Sequence, residues 1–181
     1  SQMRWVVGNW KMNLGPERSI SLAREIAALK IPDGVQAWIA PSTEALMSVA
    51  AICKGTKILV GSQNACGEKP GAFTGELSVP ALKETGCGFA IIGHSERRHV
   101  FGESVELCAK RAIGILAQNF KVIFCVGETL EERRSGRTED VLREQLRPLR
   151  DAVTPEQREN FIIAYEPVWA IGTGKNATTM N

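Results

Sequence analysis

Short β-branched and aromatic runs recur along the chain at Trp5–Val7, Gln36–Ile39, Ile58–Val60, Phe89–Ile92, Lys121–Val126 and Phe161–Ala164. Most are continuously apolar rather than alternating, the pattern of strands covered on both faces in a parallel sheet. Helical periodicity separates them. Pro16 suits a first helical turn, and Ile20, Ala23, Ile26, Ala27 and Leu29-Lys30 follow at helical spacing. Ser104 is placed to cap a second helix carrying Leu107, Cys108, Arg111, Ala112, Ile115 and Leu116. A third pattern, Thr138–Leu149, is charged on one face and stops near Pro148. The strands recur every ~31 residues, the size of a right-handed βα unit. Such alternation leaves two architectures, an open doubly wound sheet or a closed (βα)8 barrel. Eight units take about 250 residues, so strand count alone favours the open sheet.

Composition narrows the function. The 181 residues are 44% hydrophobic and 23% charged, enough chain and apolar content for one globular domain. Twenty-two basic against twenty acidic side chains leave a net charge of +2, which argues against nucleic-acid or membrane-surface partners. The longest charge-free run is the eleven residues Thr85–Ser95, too short to span a bilayer. Ser1-Gln2-Met3-Arg4 has no apolar run of the kind a secretory signal carries. The five cysteines are odd in number and form no C-x-x-C pair, and only His94 and His99 could join them at a metal. Free buried thiols in a cytoplasmic protein, with no metal site, are the expectation.

Functional residues of parallel α/β proteins cluster beyond the carboxyl ends of their strands. The first strand is followed by Gly8-Asn9-Trp10-Lys11-Met12-Asn13, and the third by Gln63-Asn64 and a long loop through Gly71-Ala72-Phe73-Thr74-Gly75. The fourth leads into Gly93-His94-Ser95-Glu96-Arg97-Arg98, and the fifth closes on Cys125-Val126-Gly127-Glu128. The sixth leads from Ala164-Tyr165-Glu166 into Pro167-Val168-Trp169-Ala170-Ile171-Gly172-Thr173-Gly174-Lys175. Singly, Glu166 reads as a solvated charge, His94 as a structural histidine and Lys11 as a surface cation. Together they follow three different strands and are expected to face one common end. A base, an electrophile and a fixed cation fit proton transfer beside a carbonyl. Competing motifs fail. A P-loop would need glycine where Trp169 stands and Ser or Thr at Asn176, and the histidines lack H-E-x-x-H spacing.

These stretches, with Glu76 and Ile91-Ile92 extending two of them, resemble the triose-phosphate isomerases in content and order. The resemblance implies a (βα)8 TIM barrel, of which this chain carries about six strands and five helices. It implies a homodimer that interconverts dihydroxyacetone phosphate and glyceraldehyde 3-phosphate through an enediolate, with no cofactor. Glu166 matches the base, His94 the electrophile, Lys11 the cation that binds the anionic substrate, and Asn9 an orienting amide. Glu96 matches a supporting carboxylate, and Ser95 and Cys125 stand beside the site. Pro167, Val168, Trp169, Thr173, Gly174 and Lys175 match a lid, with the Gly172 N–H reaching the substrate phosphate. Closure of a lid would protect an enediolate phosphate from water-assisted elimination. Thr74 matches the tip of an arm that enters the partner subunit.

The resemblance covers residues 1–181 as a single domain and reaches only about 70% of the family's usual length. The resemblance implies two further βα units, with a serine-bearing loop and a glycine pair that complete the phosphate site. Three alternatives stand for that segment: a separate chain after nicking, a continuation of this chain, or its absence. A complementary C-terminal fragment is one candidate partner. The first and sixth strands are expected to have unpaired edges. Two readings remain beside the isomerase: an incompetent partial barrel acting as a folding or interaction module, and another phosphate-handling α/β protein.

Overall fold

The computed structural model describes residues 3–171 and the backbone of the two-residue strand Thr179–Met180. The chain divides into two compact units, Ser1–Ala65 with Lys69–Ala90, and Cys66–Glu68 with Ile91–Asn181.

In the first unit β1 (Arg4–Asn9), β2 (Val35–Ala40) and β3 (Ile58–Ser62) run parallel. β1 lies on β2 from Arg4↔Val35 to Asn9↔Ala40, and β2 on β3 from Ala37↔Ile58 to Ile39↔Val60. Gly61 and Ser62 then pair with Phe89 and Ala90, the first half of β4 (Phe89–Ile92). α1 (Pro16–Ala27), α2 (Leu46–Cys53) and α3 (Val79–Thr85) accompany these strands. The core centres on Trp38, whose ring lies 4.8 Å from both Trp5 and Phe89. α1 opens on Pro16 and ends at Ala27, short of Leu29-Lys30, because Pro32 cannot continue it and the chain must turn into β2. α2 was not legible as a helix: only Ser48 is polar in it, so no amphipathic period shows. Burial on both faces, expected of most strands, does not extend to β1, where Val6 is 61% exposed. Among the described residues β1 has a strand neighbour on one side only.

In the second unit, Ile91 and Ile92 of β4 are joined by β5 (Lys121–Val126) and β6 (Phe161–Tyr165). β5 and β6 are parallel from Val122↔Phe161 to Val126↔Tyr165. The sixth strand is not left open as expected: β7 (Thr179–Met180) pairs with it antiparallel, Ala164 opposite Thr179. The unpaired amides of an edge accept any extended segment within reach. α5 (Val105–Ala117) packs against β5, buries Cys108, Ala112 and Ile115, and opens, as the sequence predicts, on Ser104, whose hydroxyl accepts the Leu107 N–H at 3.1 Å. α4 (Ser95–His99) and α6 (Leu130–Arg134) are single turns too short for a period to register, and Thr129 and Glu132 cap α6 reciprocally. α7 (Thr138–Leu146) stops three residues before Leu149 because Pro148 supplies no amide, and the chain tightens into a 3-10 turn, Arg147–Leu149. The architecture is α/β with six parallel strands. Among the described residues the strands number seven and the α-helices seven, against six and five expected.

Candidate active site

His94 lies two residues past the end of β4 and opens α4, and its side chain is only 8% exposed. Its Nδ1 accepts the backbone N–H of Glu96 at 3.2 Å. An imidazole nitrogen that accepts is unprotonated, so in the neutral ring the proton sits on Nε2. The Glu96 carboxylate lies 3.4 Å from the same Nδ1, but the amide has the donor geometry and decides the tautomer. Nε2 faces Oε2 of Glu166 at 3.7 Å. Glu166 is 47% exposed, so its carboxylate stays open to solvent and substrate while the imidazole is held. Gly93, just before His94, has φ +74, and a Cβ there would come within 2.6 Å of Arg98 Nη2.

Glu166 is fixed through its backbone. Its N–H donates to Val126 O at 2.9 Å, and its carbonyl passes over Gly127 so closely that only a hydrogen fits there. Gly127 is held from behind by Gln145 of α7, whose amide accepts the Gly127 N–H at 2.9 Å and donates to its carbonyl at 3.0 Å. Next to this, Glu128 is fully buried and accepts the Tyr165 hydroxyl at 2.6 and 3.1 Å, with Arg133 and Thr138 each at 3.4 Å. Burial first, and then the Glu128 hydrogen bond, push the Tyr165 hydroxyl up to about 12. Tyr165→Phe removes the closest donor to a buried carboxylate, and a loss of about 1–3 kcal/mol in urea unfolding is expected.

The residues after Glu166 begin as a 3-10 turn, Val168–Ala170, with the Val168 N–H on Glu128 O at 2.9 Å and the Trp169 ring 5.0 Å under the Arg133 guanidinium. Pro167 is buried. Gly172, Thr173, Gly174 and Lys175 lie outside the described residues. Ser95 and Cys125 share with Glu166 a narrow cavity that Arg98, His99 and Gly127 also line.

All five cysteines are free and buried. Burial pushes the Cys87 thiol up to about 11; burial first, and then the Glu166 charge, push Cys125 up to about 12. Both thiols stay protonated near neutrality, which gives Cys125 a packing role beside the site. Unfolded thiols ionise near their ordinary 9.0, so between that value and 11–12 the unfolded chain gives up protons that the folded chain keeps. Stability present below pH 9 therefore falls as pH rises through 11. A lower urea midpoint at pH 10.5 than at pH 8 is the expected result, with no thiol reacting with a disulfide probe at pH 8 until the chain is unfolded.

In the first unit a second group forms at the end of β1. Lys11 sits at φ +54, a costly value for a residue with a side chain, and its N–H donates to Asn9 Oδ1 at 2.9 Å. Gln63 donates from Nε2 to Lys11 O at 2.8 Å and Ala40 O at 3.0 Å, so it ties the Lys11 loop to the end of β2. The sequence shows Gln63 as part of a motif without a task; the left-handed Lys11 supplies one. Thr74 is exposed in its loop, next to Phe73. Among the described residues no three His, Cys, Asp or Glu side chains converge as a metal would require, and no helix is long and apolar enough to cross a membrane.

A buried imidazole with a fixed Nε2–H beside a carboxylate is suited to polarise a carbonyl while the carboxylate takes a proton from the neighbouring carbon. The family model for triosephosphate isomerase matches residues 4–181. The chain belongs to the triosephosphate isomerase family. Among relatives of that name, it is 44% identical over 173 residues to that of Caldanaerobacter subterraneus subsp. tengcongensis and 48% identical over 176 residues to that of Leptospira borgpetersenii serovar Hardjo-bovis. Each match covers 96% of this chain and 70% of the relative. That of Rhodopirellula baltica is 43% identical, with 68% of its length covered. Both His94 and Glu166 fall inside the matched span of the triosephosphate isomerase family model.

Proposed function

We propose that this chain carries the catalytic pair of a triosephosphate isomerase, interconverting dihydroxyacetone phosphate and D-glyceraldehyde 3-phosphate. The facing of His94 Nε2 and the Glu166 carboxylate at 3.7 Å is the observation that carries the reading. Glu166 takes the proton from the carbon beside the carbonyl, the C–H electron pair becomes the carbon–carbon double bond, and the carbonyl oxygen takes up the charge. The Nε2–H of His94 donates to that oxygen, and the imidazole relays a proton between the two oxygens. The first becomes a hydroxyl, the neighbouring hydroxyl loses its proton and becomes the new carbonyl, and Glu166 returns its proton to the carbon that bore the first carbonyl. Lys11 and Asn9 receive the anionic-substrate and orienting roles, Glu96 the task of supporting the imidazole, and Pro167 to Lys175, with Gly172, the lid; these assignments rest on family membership.

A half-exposed carboxylate exchanges its proton with water while the enediolate survives, so conversion in deuterium oxide is expected to leave solvent deuterium at the carbon that receives the proton. Product without deuterium, read by proton NMR, would show the proton returned faster than it exchanges, and conversion undiminished in Glu166→Gln would remove Glu166 as the carrier.

A homodimer through the loop around Thr74 fits the exposed apolar side chains. Met12 is 94% and Phe73 46% exposed in the first unit, and Val100 and Phe101 are 70% and 67% exposed in the second. Large exposed apolar side chains mark a protein interface where they gather in one patch. Phe73→Asp is expected to shift the sedimentation coefficient from dimer to monomer; an unchanged value would remove this loop from the interface. Five reduced, buried thiols support a cytoplasmic setting.

A further inference from the structure

Arg98, at the fourth position of α4, donates its backbone N–H to His94 O at 3.2 Å, and its guanidinium joins the end of β4, which leads to His94, to the end of β5, on which Glu166 is hung. Nε donates to Gly93 O at 2.7 Å, and Nη2 donates to Cys125 O at 2.9 Å. The plane is steadied by Phe124, whose ring centroid lies 5.3 Å away. Gly93 is bonded to His94. Cys125 is bonded to Val126, whose carbonyl receives the Glu166 N–H at 2.9 Å. A continuous path of three hydrogen bonds and two peptide links therefore runs from the imidazole through Arg98 to the carboxylate. Arginine suits this place because its planar fork holds two acceptors in fixed directions, which a lysine ammonium on a flexible stem cannot do. Gly93 completes the fit, since any Cβ there would displace the fork.

We infer that Arg98 is the positioning residue that sets the spacing of His94 Nε2 and the Glu166 carboxylate. The inference rests on the proton-transfer reading of that pair. Reacting groups misplaced by about 1 Å lose on the order of 100-fold in rate, so Arg98→Met is expected to lower kcat about 100-fold with KM within about twofold. Arg98→Lys restores charge without the fork and is expected to recover little of the loss. Guanidinium ion added to Arg98→Ala at concentrations below the unfolding range is expected to restore part of kcat, whereas the same salt slightly inhibits the parent chain.

A second measurement does not depend on turnover. In the full chain labelled with nitrogen-15 histidine, the two His94 ring nitrogens should resonate as one pyrrole-like Nε2 and one pyridine-like Nδ1. In Arg98→Met and Arg98→Lys they should move toward averaged values, while the melting temperature shows the fold retained. Arg98 variants with kcat within threefold of the parent chain, or with unaltered His94 resonances, would overturn the inference. So would a kcat loss that follows only the unfolded fraction and is not rescued by guanidinium. A parent chain without isomerase activity but with the fixed tautomer lost in Arg98→Met would leave this role standing and defeat the functional reading instead.

Discussion

With Glu166 as the proposed base, Glu166→Gln is expected to lower kcat by about 10³-fold, within the range that a positioned general base contributes. The amide keeps the size and the backbone of the carboxylate, so the Glu166 N–H stays on Val126 O and the fold is unaffected. What is lost is basicity at 3.7 Å from His94 Nε2. KM should change little, because the carboxylate acts on the transition state more than on substrate binding. Glu166→Asp separates position from basicity: it keeps the charge, withdraws it by one methylene, and should cost about 100-fold by misplacement alone. Steady-state rates with glyceraldehyde 3-phosphate, alongside thermal melts, decide the matter. Equal activity in parent and Glu166→Gln chains would take the base role away from Glu166.

Gly127→Ala should produce the largest loss of stability. A Cβ at Gly127 would run into the Glu166 carbonyl, with Pro167 also in contact, and both obstacles are backbone. No side chain can rotate away. On the other side Gln145 grips both polar groups of Gly127, so the residue cannot back off without breaking two buried hydrogen bonds. Overpacking of this kind costs about 1–3 kcal/mol, occasionally more, and the upper end is expected here. Because the strain falls on Glu166, activity should drop further than the folded fraction does. Urea unfolding and kcat measured on the same preparation test both statements, and a variant as stable as the parent chain would show that the Glu166 backbone can yield.

The sequence made the sheet easy to read because β3, β4 and β5 are nearly all apolar, and parallel strands between helices leave that mark. Helices became legible where an amphipathic period ran long enough, as in α1 and α5, and stayed hidden where it did not. α2 lacks a polar face, and α4 and α6 last one turn. At the candidate site, His94 and Glu166 could be singled out from their types and their places after strands, and the structure faces them at 3.7 Å. Their supports could not. Arg98 and Gln145 act on backbone carbonyls and amides, which carry no sequence signal, and Gln63 works because Lys11 takes a left-handed turn that composition does not announce. The edge of β6 shows the same limit, since pairing by Thr179 and Met180 depends on backbone geometry rather than on those residue types.

Gln145 occupies, toward Gly127, the place that a neighbouring strand would take. The amide hydrogen of Gly127 lies one residue past β5, yet it is shielded by a side chain borne on a helix. Its exchange with solvent deuterium should therefore follow the opening of α7 rather than the opening of the sheet. Fraying of that helix then becomes visible at the backbone against the Glu166 carbonyl, and a substitution on the outer face of α7 is expected to loosen the floor on which Glu166 rests.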